Sequence, residues 1–132
     1  MKYLQDYIAE KQTIAFEKAG AFFAFSEKQF LEQKLDGVVY SRTSVGMFCP
    51  EKNIDTLESE LKEILLQGLK DDIAENGFFN IIKRELANHE SYHTGDIDDA
   101  YYSLKKYNVT FSDVKQVFDF QMKQPEILES LS

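Results

Sequence analysis

The longest amphipathic stretch of the chain, residues 53–77, reads NIDTLESELKEILLQGLKDDIAENG. Its apolar residues recur every three or four positions, which is the spacing of one buried face of an α-helix. Asn53 is a residue type that caps helices, and Asn76-Gly77 is a typical helix stop. The stretch therefore predicts a long helix whose buried face carries Ile54, Leu57, Leu61, Ile64, Leu65, Leu69 and Ile73.

Shorter patterned segments lie on both sides of this helix. Apolar spacing predicts further helices over residues 3–18, 27–34, 78–93, 97–107 and from Thr110 to Pro125. Short β-branched or aromatic runs predict strands over residues 21–25, 38–43 and 47–49. The expected fold class is α+β, with about five helices packed on a small, two- to three-stranded antiparallel sheet. The length favours a single globular domain over residues 1–132.

The net charge of −8 arises in one segment of the chain. Residues 51–100 hold thirteen acidic and five basic side chains, whereas the charges of residues 1–50 and 101–132 cancel. Direct binding to nucleic acid is not expected, because phosphate contacts need clustered Lys and Arg. The simplest explanation is a solvated helix face. The alternative is an acidic surface that binds a basic groove on a partner through Glu58, Glu60, Glu63, Asp71, Asp72, Asp98 and Asp99.

The chain is rich in aromatic residues, with eleven Phe and seven Tyr but no Trp. Most of them fall at positions that the patterning places inside, so we expect them to form the core of a small domain. Cys49 is the only cysteine, which excludes an intrachain disulfide and a cysteine-based metal site. No apolar run approaches membrane-spanning length, and a cytoplasmic location is expected.

One motif carries recognisable chemistry. Residues 89–93 read HESYH and match the H-E-x-x-H pattern, in which two histidines on one helix face ligate zinc and the glutamate acts as a general base. His89 and His93 would then need a third ligand, for which Asp99 is a candidate. The competing interpretation places both histidines in the core, because they continue the buried stripe of the preceding residues.

The acids at 96, 98 and 99 are open to two explanations. Three acids within four residues are typical of a Ca²⁺ or Mg²⁺ site, but position 12 of a calcium loop starting at Asp96 is Tyr107 and not Glu. The simpler explanation is that Asp96 caps a helix and that Asp98 and Asp99 lie in its positive first turn.

Several stretches together resemble a family of small uncharacterised proteins found in phages and other mobile elements. The resemblance covers residues 3–120 and is carried by GAFFAFS at 20–26, GMFCP at 46–50, ELANHE at 85–90 and TGDI at 94–97. In that family the place of His93 is commonly aromatic, which implies that a second zinc ligand is not a family feature. The resemblance implies an accessory protein of a phage or mobile element and no particular activity.

Three functions follow as hypotheses. The first is a non-enzymatic protein without cofactors that binds a host protein, such as a nucleic-acid-binding defence protein, and inhibits it through the acidic 51–100 region. The alternative is a zinc-dependent hydrolase that uses His89, Glu90 and His93. The third is a small-ligand or nucleotide-binding module in which exposed rings among Tyr40, Tyr92, Tyr101 and Tyr102 stack on a base.

Overall fold

The computed structural model describes all residues from Met1 to Ser132. The chain divides into two compact units, Met1–Gly68 and Leu69–Ser132, and each is described by itself. The single domain that the length favours stays a prediction. The α+β class holds in a coarse sense, since helices surround a minimal sheet.

Local sequence signals set the helix ends of the first unit. Helix α1 spans Leu4–Ala19 and ends at Gly20, whose φ of 75° lies in the left-handed region. Helix α2 spans Glu27–Gln33, and the Ser26 hydroxyl accepts a hydrogen bond from the backbone N–H of Gln29. Both ends confirm the sequence prediction.

The sheet of the first unit has two strands, where two or three were expected. Strands β1 (Tyr40–Arg42) and β2 (Phe48–Pro50) pair antiparallel, with Tyr40 opposite Pro50 and Arg42 opposite Phe48. The segment 21–25, predicted as a third strand, contributes only one bridge, between Phe22 and Phe48. It extends no further because the Phe23 carbonyl and the Phe25 N–H bond the side chains of Gln33 and Gln29 instead.

The core of the first unit lies where α1 and β2 meet the start of the long helix α3, which spans Ile54–Asn88 after a 3₁₀ turn at Glu51–Asn53. Ala15, Cys49 and Leu57 are its buried members. Further along α3, Gly68 is packed so closely against α1 that a Cβ atom there would overlap the Ile8 side chain. Glycine weakens a helix, and here it allows the two helices to approach closely.

We expect Gly68→Ala to lower the free energy of unfolding by up to about 2 kcal/mol. Alanine gains about 1 kcal/mol of helix propensity, but the overlap with Ile8 costs about 1–3 kcal/mol. Urea unfolding measures the change. In an Ile8→Ala background the overlap is gone, so the same substitution should then stabilise the protein; equal destabilisation in both backgrounds would contradict the explanation.

The second unit contains six helical segments, of which one is the end of α3 and one is a 3₁₀ turn. It holds the end of α3, then α4 (Ser91–Thr94), α5 (Asp98–Leu104), a 3₁₀ turn (Lys105–Tyr107), α6 (Phe111–Gln121) and α7 (Pro125–Leu131). The chain thus has seven α-helices and not about five. The helix predicted over 78–93 ends at Asn88 because Glu90 adopts a left-handed conformation with φ 55°. Pro125 begins a further helix, as proline does well in a first turn.

Helix α3 is sharply kinked at Gly77, whose φ of 75° and ψ of 155° are not helical. The predicted break at Asn76-Gly77 is therefore confirmed as a kink. It brings together two residues twelve positions apart, Asp72 and Arg84, which a straight helix would separate by roughly 18 Å along its axis. The Arg84 guanidinium donates two hydrogen bonds to the Asp72 carboxylate, of 3.1 and 2.9 Å.

The Asp72–Arg84 pair is buried, and both oxygens of its carboxylate accept hydrogen bonds. Both side chains are almost fully buried, and the carboxylate also accepts from the Tyr107 hydroxyl (2.6 Å) and the Asn76 amide (2.8 Å). Burial raises the pKa of Asp72, but the bonds from Arg84, Tyr107 and Asn76 outweigh it and hold that pKa below its usual value. Burial and the same carboxylate raise the pKa of Tyr107. Around this pair the core consists of Ile81, Ile82, Leu86, Ile97, Ala100, Leu104 and Val114.

We expect Arg84→Met to lower the free energy of unfolding by about 3–5 kcal/mol, because it leaves the Asp72 charge buried and unpaired. Replacing both residues, as Asp72→Leu with Arg84→Met, should recover most of the loss. Since the pKa of Asp72 is lowered on folding, its contribution is complete at neutral pH and disappears as the pH falls below about 4. Asp72→Asn should therefore flatten the acid side of the stability profile.

Urea unfolding from pH 7 down to pH 3 measures both effects, and the exposed Lys70→Met serves as the matched control. An unchanged acid limb in Asp72→Asn would contradict the assignment.

Candidate interaction surfaces

The phenylalanines are the most unexpected feature of the surface. None of the eleven is buried, and only Tyr107 among all the aromatic residues is. The prediction that the aromatic residues form the core is therefore wrong for the eight that are exposed, while the other ten are half-buried or buried. The exposed rings belong to Tyr3, Phe23, Phe25, Phe78, Phe79, Tyr102, Phe111 and Phe120.

In the first unit, strand alternation explains the exposure. Successive side chains of an extended segment point to opposite sides, so an aromatic run can be wholly buried only if both sides are covered. Phe22 packs into a cluster with Phe30, Tyr40 and Phe48, whose ring centroids lie 4.8–6.0 Å apart. Phe23 and Phe25 are 47% and 87% exposed.

The exposed Phe23 and Phe25 rings form a fixed pair. They stack nearly parallel, with centroids 6.2 Å apart and an angle of 5° between their planes. Their backbone is held from α2, because the Gln29 side chain accepts from the Phe25 N–H (2.7 Å) and the Gln33 amide donates to the Phe23 carbonyl (3.0 Å). The sequence identifies Gln29 as part of a capping pattern but gives no sign that it orders an exposed aromatic pair.

These rings border a cleft of about 660 Å³, which we call the aromatic cleft. The Arg42 guanidinium lies over the Phe48 ring, 4.9 Å from its centroid, and supplies a cation within the cleft. The cleft is lined by Phe23, Ala24, Phe25, Ser26, Glu27, Phe30, Arg42, Val45, Gly46 and Phe48.

A second cavity, of about 590 Å³, lies in the second unit between the end of α3 and α6; we call it the interhelical groove. Phe79 and Phe120 both line it and contact each other edge to face, with centroids 5.9 Å apart. The buried Ile82 forms its base. Its lining residues are Phe78, Phe79, Ile82, Asn108, Val109, Asp113, Gln116, Val117 and Phe120.

The aromatic cleft and the interhelical groove both fall within the part of the chain that matches a known family. Residues 4–130 match DUF7659, a family of unknown function. The chain belongs to this family. No curated protein and no solved structure matches the chain. The expected resemblance to a family of uncharacterised proteins is thus confirmed, while the origin in phages or mobile elements stays a prediction.

The seven acidic residues proposed for partner binding do not behave alike in this DUF7659 protein. Asp72 is buried, and its assignment to an exposed face is wrong because it pairs with Arg84. Glu58 accepts from both the N–H and the hydroxyl of Ser44, and these bonds lower its pKa. Glu60 pairs with Lys18 at 3.1 Å.

Three of the remaining four acids are exposed. Glu63 in the first unit is exposed, as are Asp98 and Asp99 in the second, while Asp71 is half-buried. Asp98 and Asp99 occupy the first turn of α5, as the sequence predicts. The N-cap residue of α5 is Ile97 and makes no side-chain capping bond, so the capping role expected of Asp96 is wrong. The Asp96 side chain lies one residue earlier and accepts from the Asp98 N–H in a local turn.

The two histidines of the H-E-x-x-H motif do not share a helix. α3 ends before His89, the left-handed Glu90 interrupts the chain, and His93 lies in the short helix α4. Both histidines are exposed, so the expectation that they belong to the core is wrong; His89 Nε2 lies 3.6 Å from a Glu85 oxygen. His89, His93 and Asp99 do not come together, and no group of three His, Cys, Asp or Glu side chains is placed to hold a metal ion.

The tyrosines considered for base stacking are mostly engaged within the fold. The Tyr40 hydroxyl accepts from the Leu35 N–H, and Tyr101 packs against Phe111. Tyr92 stacks on Phe118, and burial raises its pKa to about 12. Tyr102 is the exposed one of the four, with the Lys105 ammonium 5.5 Å from its ring centroid.

Cys49 is fully buried. Burial raises the pKa of its thiol, and the nearby Glu58 charge raises that pKa further, which opposes a role as a nucleophile.

No helix of the structure has both the length and the apolar character needed to cross a membrane.

We expect zinc to leave the thermal unfolding temperature of the metal-free protein unchanged, because the interrupted helix does not present His89 and His93 on one face. A ligand that binds only the folded state raises that temperature. Differential scanning fluorimetry with and without micromolar zinc measures it, with His93→Tyr as the control. A zinc-dependent rise that is lost in His93→Tyr would restore the hydrolase hypothesis.

Proposed function

We propose that this DUF7659 protein is a non-enzymatic binding protein that contacts a macromolecular partner through the stacked pair Phe23 and Phe25. The main support for the proposal is that Phe23 and Phe25 are exposed and stacked on each other. Their backbone is held in place by hydrogen bonds with two side chains of α2, Gln29 and Gln33. Large exposed apolar side chains grouped on one surface are typical of interaction sites.

Energetics favour the pair as an anchor. Burying a phenylalanine side chain fully is worth about 1.5–3 kcal/mol, and aromatic residues are enriched among the few that dominate binding. Because Gln29 and Gln33 already fix the backbone, less conformational entropy is lost when a partner covers the rings.

Charge favours a basic partner. The protein carries a net charge of −8, and Glu63, Asp98 and Asp99 are exposed. An acidic protein is attracted to a basic surface over distances of about 10 Å, and this attraction speeds association. Among the acidic residues expected to bind a partner, we therefore keep the exposed Glu63, Asp98 and Asp99 and omit the buried Asp72.

The resemblance to phage and mobile-element proteins extends the proposal to a kind of partner. We propose a host protein with a basic groove for nucleic acid, such as a defence nuclease, which the chain would occupy and inhibit. The exposed acidic residues would then compete with the phosphate backbone for the same groove.

We expect Phe25→Ala to weaken binding to the partner by about tenfold or more, as loss of a central aromatic anchor does. The thermal unfolding temperature should change little, because the ring is 87% exposed. Tagged full-length protein captures the partner from host lysate, and biolayer interferometry then compares the variants against it.

Ile14→Ala, which removes a 57% exposed side chain from α1, is the matched control and should bind normally. Raising the salt concentration should slow association of the wild type. Equal affinity of Phe25→Ala and wild type would contradict the anchor, and association that ignores salt would contradict the basic partner.

A further inference from the structure

The structure assigns a second docking site to the interhelical groove: we infer that it binds an amphipathic α-helix of a partner, with a Lys or Arg placed beside Asp113. The inference rests on the proposed function only in requiring a macromolecular partner, since Phe23 and Phe25 lie in the other unit.

The form of the groove favours a helix. Its walls are two helices, and on α6 the lining residues Asp113, Gln116, Val117 and Phe120 follow helical spacing over two turns, or roughly 10 Å. A groove between two helices receives the ridge of a third, with side chains at i, i+3 or i+4, and i+7 as anchors. A peptide that binds as an added β-strand would need a free strand edge, and the walls here are helical.

The chemistry of the walls favours apolar anchors. Phe78, Phe79 and Phe120 are each about half exposed, so a partner can still bury much of their surface. The buried Ile82 and the half-buried Val117 continue the apolar lining. Aromatic side chains with this arrangement form the centres of tight interfaces.

Charge selects a basic helix. Asp113 is the only charged residue that lines the groove. Its Oδ2 atom accepts from the Thr110 N–H at 2.8 Å as a helix cap, which leaves Oδ1 for a partner. Lys83 is not a lining residue, and its ammonium lies over the Phe79 ring, 5.4 Å from the ring centroid. The unit as a whole, residues 69–132, holds twelve acidic and seven basic side chains, so a cationic helix is attracted and an anionic one is repelled.

Three fluorescent 14-residue peptides test the inference by anisotropy against the full chain. The first places leucines at helical spacing among lysines, the second scrambles that sequence, and the third replaces the lysines with glutamates. We expect the first to bind at least about tenfold more tightly than either control, because only it combines an apolar face with positive charge.

Substitutions in the chain test whether the peptide binds in the groove. Phe120→Ala should weaken binding about tenfold, and Asp113→Asn, which keeps the capping oxygen, should weaken it several-fold. Phe111→Ala is the matched control, because this residue has similar exposure on the same helix but does not line the groove. Amide chemical-shift changes should map to residues 78–82 and 108–120.

Several outcomes would overturn the inference: equal binding of the scrambled or acidic peptide, an affinity that Phe120→Ala leaves unchanged, or a dimer of this chain that dissociates in Phe120→Ala without binding peptide. A partner that is lost in Phe25→Ala but bound normally by Phe120→Ala would leave the proposed function intact and refute the groove alone. Conversely, peptide binding in the groove together with a partner that is indifferent to Phe25 would refute only the anchor pair.

Discussion

The bidentate contact between Asp72 and Arg84 is the constraint on which the second unit depends. Two side chains twelve residues apart cannot meet in a straight helix, so their pairing requires the kink at Gly77. Tyr107 then joins the same carboxylate from a turn far along the chain. A buried charge without its partner is strongly unfavourable, so loss of one member of the pair destabilises both the kink and the turn that carries Tyr107.

The kink and the small core leave aromatic surface available for binding. Units of 60–70 residues bury a smaller fraction of their surface than larger domains do, and apolar side chains remain outside. Phe78 and Phe79 follow Gly77 directly, so the same bend that allows the ion pair also places two rings at a wall of the interhelical groove. In the first unit, strand alternation places Phe23 and Phe25 outside while Phe22 fills the cluster beneath.

The acidic residues show how far charge can be interpreted from sequence. The excess of acids in residues 51–100 is a property of the sequence, yet their surroundings differ completely. Asp72 is buried in the core, where it pairs with Arg84. Glu58 and Glu60 bond residues in other segments of the first unit. Glu63 is exposed to solvent. Sequence spacing identified the acids, but each role depends on a partner, such as Arg84, Ser44 or Lys18, that lies 12 to 42 positions away.

The sequence by itself determined the helix ends at Gly20, Ser26, Asn76-Gly77 and Thr110, because each depends on bonds or backbone angles within about four residues. It also determined the strand pair around residues 40–50 and the net charge. The tertiary structure alone decided that Asp72 is buried and that six of the eleven phenylalanines are exposed. Burial depends on neighbours that are distant in the chain. The spacing of apolar residues shows which residues share a helix or strand face, but it does not show which other segments cover that face.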